Sequence, residues 1–152
     1  MGDAALLNAI LRVHFSAANY NNLNPPAAGA TQIDHFWEVQ HVVAIIRPTL
    51  GDNWFPLPIG EFMDLSSFVN EHRNMFLIEA AINQQKKHIP LAQYRPQANN
   101  PLITAYLNRN LQGGGTVRDS VRALARAMRD RHSAYPRLTS LVGRELCALM
   151  GW

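Results

Sequence analysis

The chain has 152 residues, of which 47% are hydrophobic and 16% are charged, so it can bury one hydrophobic core but is too short for two ordinary domains. The net charge of +3 is compatible with a polyanionic partner without identifying one, and the single cysteine, Cys147, excludes an intrachain disulfide and a cysteine-rich zinc site. The sequence has neither a signal-peptide pattern nor the roughly 18 apolar residues that span a bilayer, so we expect a soluble protein without a membrane partner.

Residues 1–30 are expected to form one helix followed by a loop. Apolar side chains recur at helical spacing through residues 4–18, and Asp3 is placed to cap the start of this helix. The next segment is rich in asparagine, proline and glycine, which predicts an irregular loop up to Thr31. The helix follows the first two residues so directly that we expect a module of a longer polypeptide.

The apolar run at residues 36–46 is compatible with a buried strand or with a helix, because periodicity does not separate the two in so apolar a segment. We favour the helix, in which Glu38 and His41 would share a face with Asp34. The Arg47-Pro48 pair is expected to end it, since the residue before a proline is pushed away from helical geometry.

The remainder of the predicted core, residues 31–90, contains a short helix, a strand and another helix. EFMDLSSFVNEH is typical of a short helix after a proline-rich loop, and NMFLIE is typical of a short strand. EAAINQQKKH predicts a helix that stops before Pro90. A strand followed directly by a helix is therefore expected here.

Residues 91–152 are expected to be mainly helical. A loop precedes a helix at LITAYLNRNL, and three consecutive glycines then break the chain. Thr116 is a good N-cap with Asp119 three residues later, so a long helix with one apolar face is predicted to begin here. A final helix is predicted at residues 137–150.

Another face of the long helix carries a ridge of arginines: Arg118, Arg122, Arg126 and Arg129. This arginine ridge is the footprint expected of a helix that contacts nucleic-acid phosphates. Exposed arginines that pair with Asp119 and Asp130 would give the same pattern.

Five polar residues supply the groups that phosphodiester hydrolysis needs: Asp34, His35, Asn74, Asn83 and Lys86. A phosphodiester resists attack because its negative charge repels the nucleophile, so a cation and a base with a pKa near neutrality remove two obstacles together. Histidine suits the base, whereas carboxylate and amide oxygens are hard ligands that favour Mg²⁺ or Mn²⁺. Asn83 and Lys86 are three residues apart, so they share one helical face.

In their order, and in the spacing of Asn74, Asn83 and Lys86, these residues resemble the HNH, or His-Me finger (ββα-metal), endonucleases over residues 32–89. In that family a hairpin strand ends in Asp-His or His-His, a loop carries a structural asparagine, and a short strand leads into a helix with the third motif residue. The resemblance implies that His35 is the general base and that Asp34 and Asn83 bind one divalent cation. It also implies that Asn74 holds the loop that orients the His35 ring. Lys86, or Lys87, would neutralise a phosphate next to the cut.

Two features depart from the family pattern. His35 and Asn74 are 39 positions apart, so residues 36–68 must form an insertion that leaves the hairpin able to close. Asparagine rather than histidine occupies the third motif position, which leaves His88 as a less favoured ligand. Glu38 and His41, at helical spacing, are further alternative ligands.

Each motif residue also has a simpler structural interpretation. Asp34 could cap a helix, and His35 could be a half-buried side chain bonded to the backbone. Asn74 could be a turn residue, and residues 83–87 a solvated helix end. Four aromatic residues are expected in the core rather than as platforms for base stacking: Phe36, Trp37, Trp54 and Phe55.

We therefore predict a mostly α (α+β) domain with a small ββα-metal-like element, acting as a metal-dependent endonuclease of low sequence specificity on DNA or RNA. Nuclease domains of this kind are often short, basic and fused, so a toxin or effector module is the expected context, and an immunity or inhibitor protein is a candidate partner. The alternative is a non-catalytic helical module that binds a partner or nucleic acid through the arginine ridge.

Overall fold

The computed structural model describes residues 3–15, 19–51 and 57–152, with Asp3 described by its backbone alone. Three expectations fall outside this description: the cap formed by the Asp3 side chain, the helical state of residues 16–18, and the core positions of Trp54 and Phe55.

The described chain is mostly helical with two small antiparallel sheets, which confirms the predicted mostly α (α+β) class. Its helices are α1 (Asp3–Leu11), α2 (Val39–Leu50), α3 (Ile59–Val69), α4 (Ala80–Lys86), α5 (Pro101–Leu107), α6 (Val117–Arg129) and α7 (Arg137–Met150). Its strands are β1 (Leu23–Asn24), β2 (Thr31–His35), β3 (Met75–Glu79) and β4 (Asn110–Leu111), and 3₁₀ turns cover His72–Asn74, Leu91–Tyr94 and Pro96–Ala98.

The central feature of the fold is a strand-strand-helix unit built from β2, β3 and α4. β2 pairs antiparallel with β3, so that Asp34 lies opposite Phe76 and His35 opposite Met75. α4 begins at the residue after β3, as the strand-then-helix prediction required. Helices α2 and α3 lie in the connection between the two strands, so the long insertion does leave the hairpin closed.

The apolar run at residues 36–46 is divided, which corrects the prediction of one helix over it. Phe36 and Trp37 follow β2 as a loop, and α2 begins only at Val39. The cause is a tertiary contact. The backbone N–H groups of Phe36 and Trp37 both donate to Asn74, so they do not take part in helical hydrogen bonds. The predicted end at Arg47-Pro48 is also wrong, since α2 continues through Pro48 to Leu50.

α1 ends at Leu11, before the predicted end at residue 18. The carbonyl oxygen of Leu11 accepts hydrogen bonds from the side chains of Ser66 and Asn70 in and after α3. The N–H of Phe15 donates to Arg12 instead of to Leu11. Contacts from α3 therefore take the place of the next helical turn.

Helices α6 and α7 agree closely with the sequence, but the helix predicted at LITAYLNRNL is wrong at its end: α5 ends at Leu107, and Asn110–Leu111 is strand β4, which pairs with β1. Thr116 and Asp119 form the predicted capping box at the start of α6, and the described bounds of α7 are those predicted. The apolar face of α6 is buried in the core at Val117, Val121, Leu124, Ala125 and Met128. α7 packs against α6 so closely that Gly143 lies on the backbone of Arg129. Among the described residues, no helix combines the length and apolar character that crossing a membrane requires.

Candidate functional site

The end of β2 and the facing side of α4 border a small cavity of about 130 Å³, here called the site cavity. It brings together four residues that the sequence assigned to one site: Asp34, His35, Asn83 and Lys87. Arg12 and Glu38 also line it. A larger cavity of about 730 Å³ lies between the end of α2 and α7, but it contains none of the predicted site residues.

Asp34 is almost fully buried, at 2% exposure, and its carboxylate has two described donors. The hydroxyl of Tyr106 donates to Oδ2 at 2.9 Å, and Nζ of Lys86 lies 3.1 Å from the same oxygen. Burial raises the pKa of Asp34 to about 7, even though Lys86 acts to lower it. The simpler interpretation of Asp34 as a helix cap is wrong, because Asp34 lies within strand β2.

Lys86 is inaccessible to solvent, which does not fit its predicted contact with a substrate phosphate. Its Nζ donates to Oε1 of Glu38 and to the backbone oxygen of His35, each at 2.8 Å. Burial acts to lower the pKa of Lys86, but Asp34 and other acidic neighbours raise it overall, so the side chain stays charged. Lys87, the alternative residue for this contact, is exposed and lines the site cavity.

His35 is buried but remains beside Asn83 at the site cavity. Its Nε2 lies 2.8 Å from Oδ1 of Asn70, and the ring of Phe15 lies 5.4 Å from the imidazole between centroids. Burial lowers the pKa of His35, while the bond to Asn70 acts to raise it. The ring is therefore neutral near pH 7, the form that can accept a proton.

Asn74 is fully buried and bonds to the loop that follows β2. Its Oδ1 accepts from the N–H of Trp37 at 2.8 Å, and its Nδ2 donates to the carbonyl oxygens of Val69 and Trp37. The bond to Val69 anchors Asn74 to the end of α3, and the two bonds to Trp37 link it to the chain directly after His35. They are the bonds expected of a residue that holds this loop.

Asn83 offers an oxygen that nothing else in the described chain uses. Its Nδ2 donates to Oε1 of Gln32 at 2.8 Å, whereas its Oδ1 is buried without a hydrogen-bond partner among the described residues. A buried acceptor without a partner is costly, and a water molecule or a cation would satisfy it. Asn83 lines the same cavity as Asp34 and Glu38, and carboxylate and amide oxygens are the kind of ligand that Mg²⁺ or Mn²⁺ prefers.

The alternative ligands are arranged differently. His88 is exposed, and His41 is buried against the ring of Tyr94; neither is among the residues that line the site cavity. Glu38 lines the cavity, and although burial would raise its pKa, Lys86 lowers the pKa overall. Within the described ranges, no three His, Cys, Asp or Glu side chains form a metal-binding group. A cation at this site would therefore use few protein ligands.

The arginine ridge is only partly free. Arg122 pairs with Asp119 at 2.8 Å and Arg129 pairs with Asp130 at 2.9 Å, as the simpler interpretation of the ridge predicted. Arg118 donates to the side chain of Asn108. Arg126 is exposed.

Three residues of the site were not identified from the sequence: Arg12, Asn70 and Tyr106. Each lies far along the chain from Asp34 and His35 and reaches them only through tertiary packing. Asn70 directly follows α3, so in the sequence it is indistinguishable from an ordinary residue at a helix end. That position does not reveal its bond to His35. Tyr106 lies on the buried face of α5, where its ring alone explains its position.

Comparisons of this chain with protein-family models, with curated proteins and with solved structures give no match.

Proposed function

We propose that this chain is a metal-dependent endonuclease that hydrolyses phosphodiester bonds of DNA or RNA with low sequence specificity. The observation that carries the proposal is the closed β2–β3 hairpin that continues into α4. This unit directs Asp34, His35 and Asn83 to one cavity, in the order and topology of the ββα-metal element that the sequence resembles.

His35 is the proposed general base. It takes a proton from a water molecule whose oxygen attacks phosphorus, and the bond to the leaving ester oxygen breaks. Burial keeps the imidazole neutral, so it is ready to accept that proton. Lys87 and Arg12, both exposed and both at the cavity, would contact the phosphate of the substrate.

Asp34 and Asn83 are the proposed ligands of one Mg²⁺ or Mn²⁺, with Glu38 as a further acidic neighbour. The buried Oδ1 of Asn83, which has no hydrogen-bond partner in the part of the chain that the structure describes, supports this assignment. When bound, the cation would offset the phosphate charge and stabilise the leaving oxygen. Lys86 would hold Asp34 and Glu38 in place from the protein side.

Low sequence specificity follows from the kind of contact that the surface offers. Arg126 and its neighbours on the arginine ridge can contact phosphates, which carry no sequence information. A toxin or effector module within a longer polypeptide, with an immunity or inhibitor protein as its partner, is the context that we propose for such an activity.

Digestion of supercoiled plasmid and of total RNA, with Mg²⁺, Mn²⁺ or EDTA, tests the proposal. We expect cleavage that EDTA abolishes and that falls by about 100-fold or more in His35→Ala and Asn83→Ala. His88→Ala is the matched control, because His88 is an exposed histidine outside the site cavity. Circular dichroism and thermal unfolding would establish that each variant is folded.

Intact plasmid and intact RNA in every condition, with folded wild-type protein, would contradict the nuclease proposal. The non-catalytic alternative would then predict binding without cleavage. In that case an Arg122→Ala, Arg126→Ala double variant would lose nucleic-acid or partner binding, and His35→Ala would retain it.

A further inference from the structure

Asn70 has a fixed amide orientation. It is nearly fully buried, and its Nδ2 lies 2.6 Å from the carbonyl oxygen of Leu11 and 3.0 Å from that of Ser66. Carbonyl oxygens only accept hydrogen bonds, so the nitrogen of the amide must face them. The oxygen, Oδ1, therefore faces His35.

This orientation decides where the hydrogen of the His35 ring lies. Oδ1 of Asn70 can only accept, and it lies 2.8 Å from Nε2 of His35. Nε2 must therefore carry the hydrogen. In a neutral imidazole the other nitrogen is then unprotonated, so Nδ1 has the lone pair that can take a proton.

We propose that Asn70 is a positioning residue that holds neutral His35 as the Nε2–H tautomer, which leaves Nδ1 as the nitrogen that accepts the proton from water. The catalytic meaning of this inference rests on the proposed nuclease function. The tautomer itself does not, because it follows from the hydrogen bonds of Asn70 alone.

The other contacts of His35 are compatible with this role. The Phe15 ring packs against the imidazole, with 5.4 Å between the ring centroids. Three charged groups also act on His35 from neighbouring segments: Arg12, Glu38 and Lys86. The only hydrogen-bond partner described for a nitrogen of the His35 ring is Asn70. Asn70 is thus the residue in the described chain that distinguishes the two tautomers.

The test is ¹⁵N NMR of the imidazoles in the full chain, recorded near pH 8.5 so that His35 is neutral. An unprotonated ring nitrogen resonates far downfield of a protonated one, so the two tautomers are distinguished directly. We expect wild-type His35 to show a downfield Nδ1 and a protonated Nε2. Asn70→Ala should show a mixture of tautomers and lose about 10- to 100-fold in kcat with little change in KM.

Ser66→Ala is the matched control. Its hydroxyl belongs to the same buried cluster and donates to Leu11, but it makes no bond to His35. We expect this variant to keep the wild-type tautomer and the wild-type kcat. If Asn70→Ala does not fold, the wild-type spectrum still decides whether Nε2 carries the hydrogen.

A protonated Nδ1 in wild-type His35, or an unchanged tautomer in folded Asn70→Ala, would overturn the inference. If wild-type protein shows the expected tautomer, and Asn70→Ala changes it, the positioning role is supported. The same spectra from a protein that cleaves neither DNA nor RNA would support the tautomer assignment and reject the nuclease function alone.

Discussion

Oδ2 of Asp34 lies 3.1 Å from Nζ of Lys86, and both side chains are almost entirely buried. Lys86 also contacts Glu38 at 2.8 Å, so one buried ammonium group faces two carboxyl groups. Burial raises the pKa of Asp34 to about 7; the charge of Glu38 acts in the same direction, and Lys86 acts to lower it. A divalent cation next to Asp34 would supply the charge that the protein leaves uncompensated.

Replacing Lys86 should be strongly destabilising. Lys86→Met keeps much of the side-chain volume but leaves two buried acids without their cation, which typically costs about 3–5 kcal/mol. Urea unfolding at pH 7 measures this loss. Lys87→Met is the control, because Lys87 is exposed, and it should change the free energy of unfolding by less than about 0.5 kcal/mol. Equal stability of the two variants would show that Lys86 is not buried between acids.

The contrast between Lys86 and Lys87 shows what the sequence could predict. The strand, the helix after it and the polar positions on that helix follow from local patterns, and β3 and α4 agree with them. Local patterns do not show which of two adjacent lysines points inwards. That depends on α5 and the Leu91–Tyr94 turn, whose aromatic rings surround the Lys86 ammonium group.

Local patterns also could not predict that residues 36–46 are divided between a loop and helix α2. The apolar composition predicted burial, and Phe36 and Trp37 are buried. The loop at these residues depends on hydrogen bonds to Asn74. Asn74 is too distant along the chain for a local hydrophobic pattern to show this contact. Arg12 and Asn70 were missed for the same reason, since α1 and α3 bring them to His35 only in the folded chain.

Removing the hydroxyl of Tyr106 should reveal its bond to Asp34. Tyr106→Phe leaves a buried carboxylate with one donor fewer, so we expect a loss of about 1–3 kcal/mol in the free energy of unfolding. Tyr135→Phe, at an exposed tyrosine, should change it by less than about 0.5 kcal/mol. If both variants unfold at the same urea concentration as the wild type, the bond between Tyr106 and Asp34 does not contribute to stability.

The contact between α6 and α7 allows no side chain at Gly143. A Cβ at this position would overlap the backbone nitrogen of Arg129, so Gly143→Ala must force the two helices apart. We expect a loss of about 1–3 kcal/mol or more, measured by thermal unfolding. Gly113→Ala is the control, since a Cβ there would meet nothing within 4 Å. Alanine is the better helix former, so stabilisation by Gly143→Ala would contradict the close packing of α6 and α7.

The bond network of Asp64 predicts a pH dependence of stability. Burial acts to raise the pKa of Asp64, but Arg131 and Thr139 lower it overall by hydrogen bonds to the carboxylate. A depressed folded-state pKa contributes stability that is present above the unfolded pKa of about 3.9 and is lost as the pH falls through the folded value. Asp64→Asn should therefore be less stable than wild type at pH 7.

That difference should shrink as the pH falls below about 4, where the wild-type carboxylate also becomes protonated. Urea unfolding at several pH values between 7 and 3 measures it. Asp130→Asn is the control: the hydrogen bond from Arg129 also lowers the pKa of Asp130, but this pair is open to solvent, so its pH-dependent difference from wild type should be smaller. A constant difference between wild type and Asp64→Asn across this range would show that protonation of Asp64 is not linked to folding.

The two cations at the site cavity should govern the salt dependence of substrate binding. Arg12 and Lys87 are exposed and lie at the same cavity although they come from distant parts of the chain. If each contacts one phosphate, Arg12→Ala and Lys87→Ala should each reduce the slope of log Kd against log salt by about 1. Arg144→Ala, at an exposed arginine on the larger cavity between α2 and α7, should leave the slope unchanged.

Fluorescence anisotropy with a labelled oligonucleotide measures these slopes. The His35→Ala background is used so that the oligonucleotide stays intact. Equal slopes for all three variants would place the phosphate contacts elsewhere on the surface, and the arginine ridge would be the next surface to test.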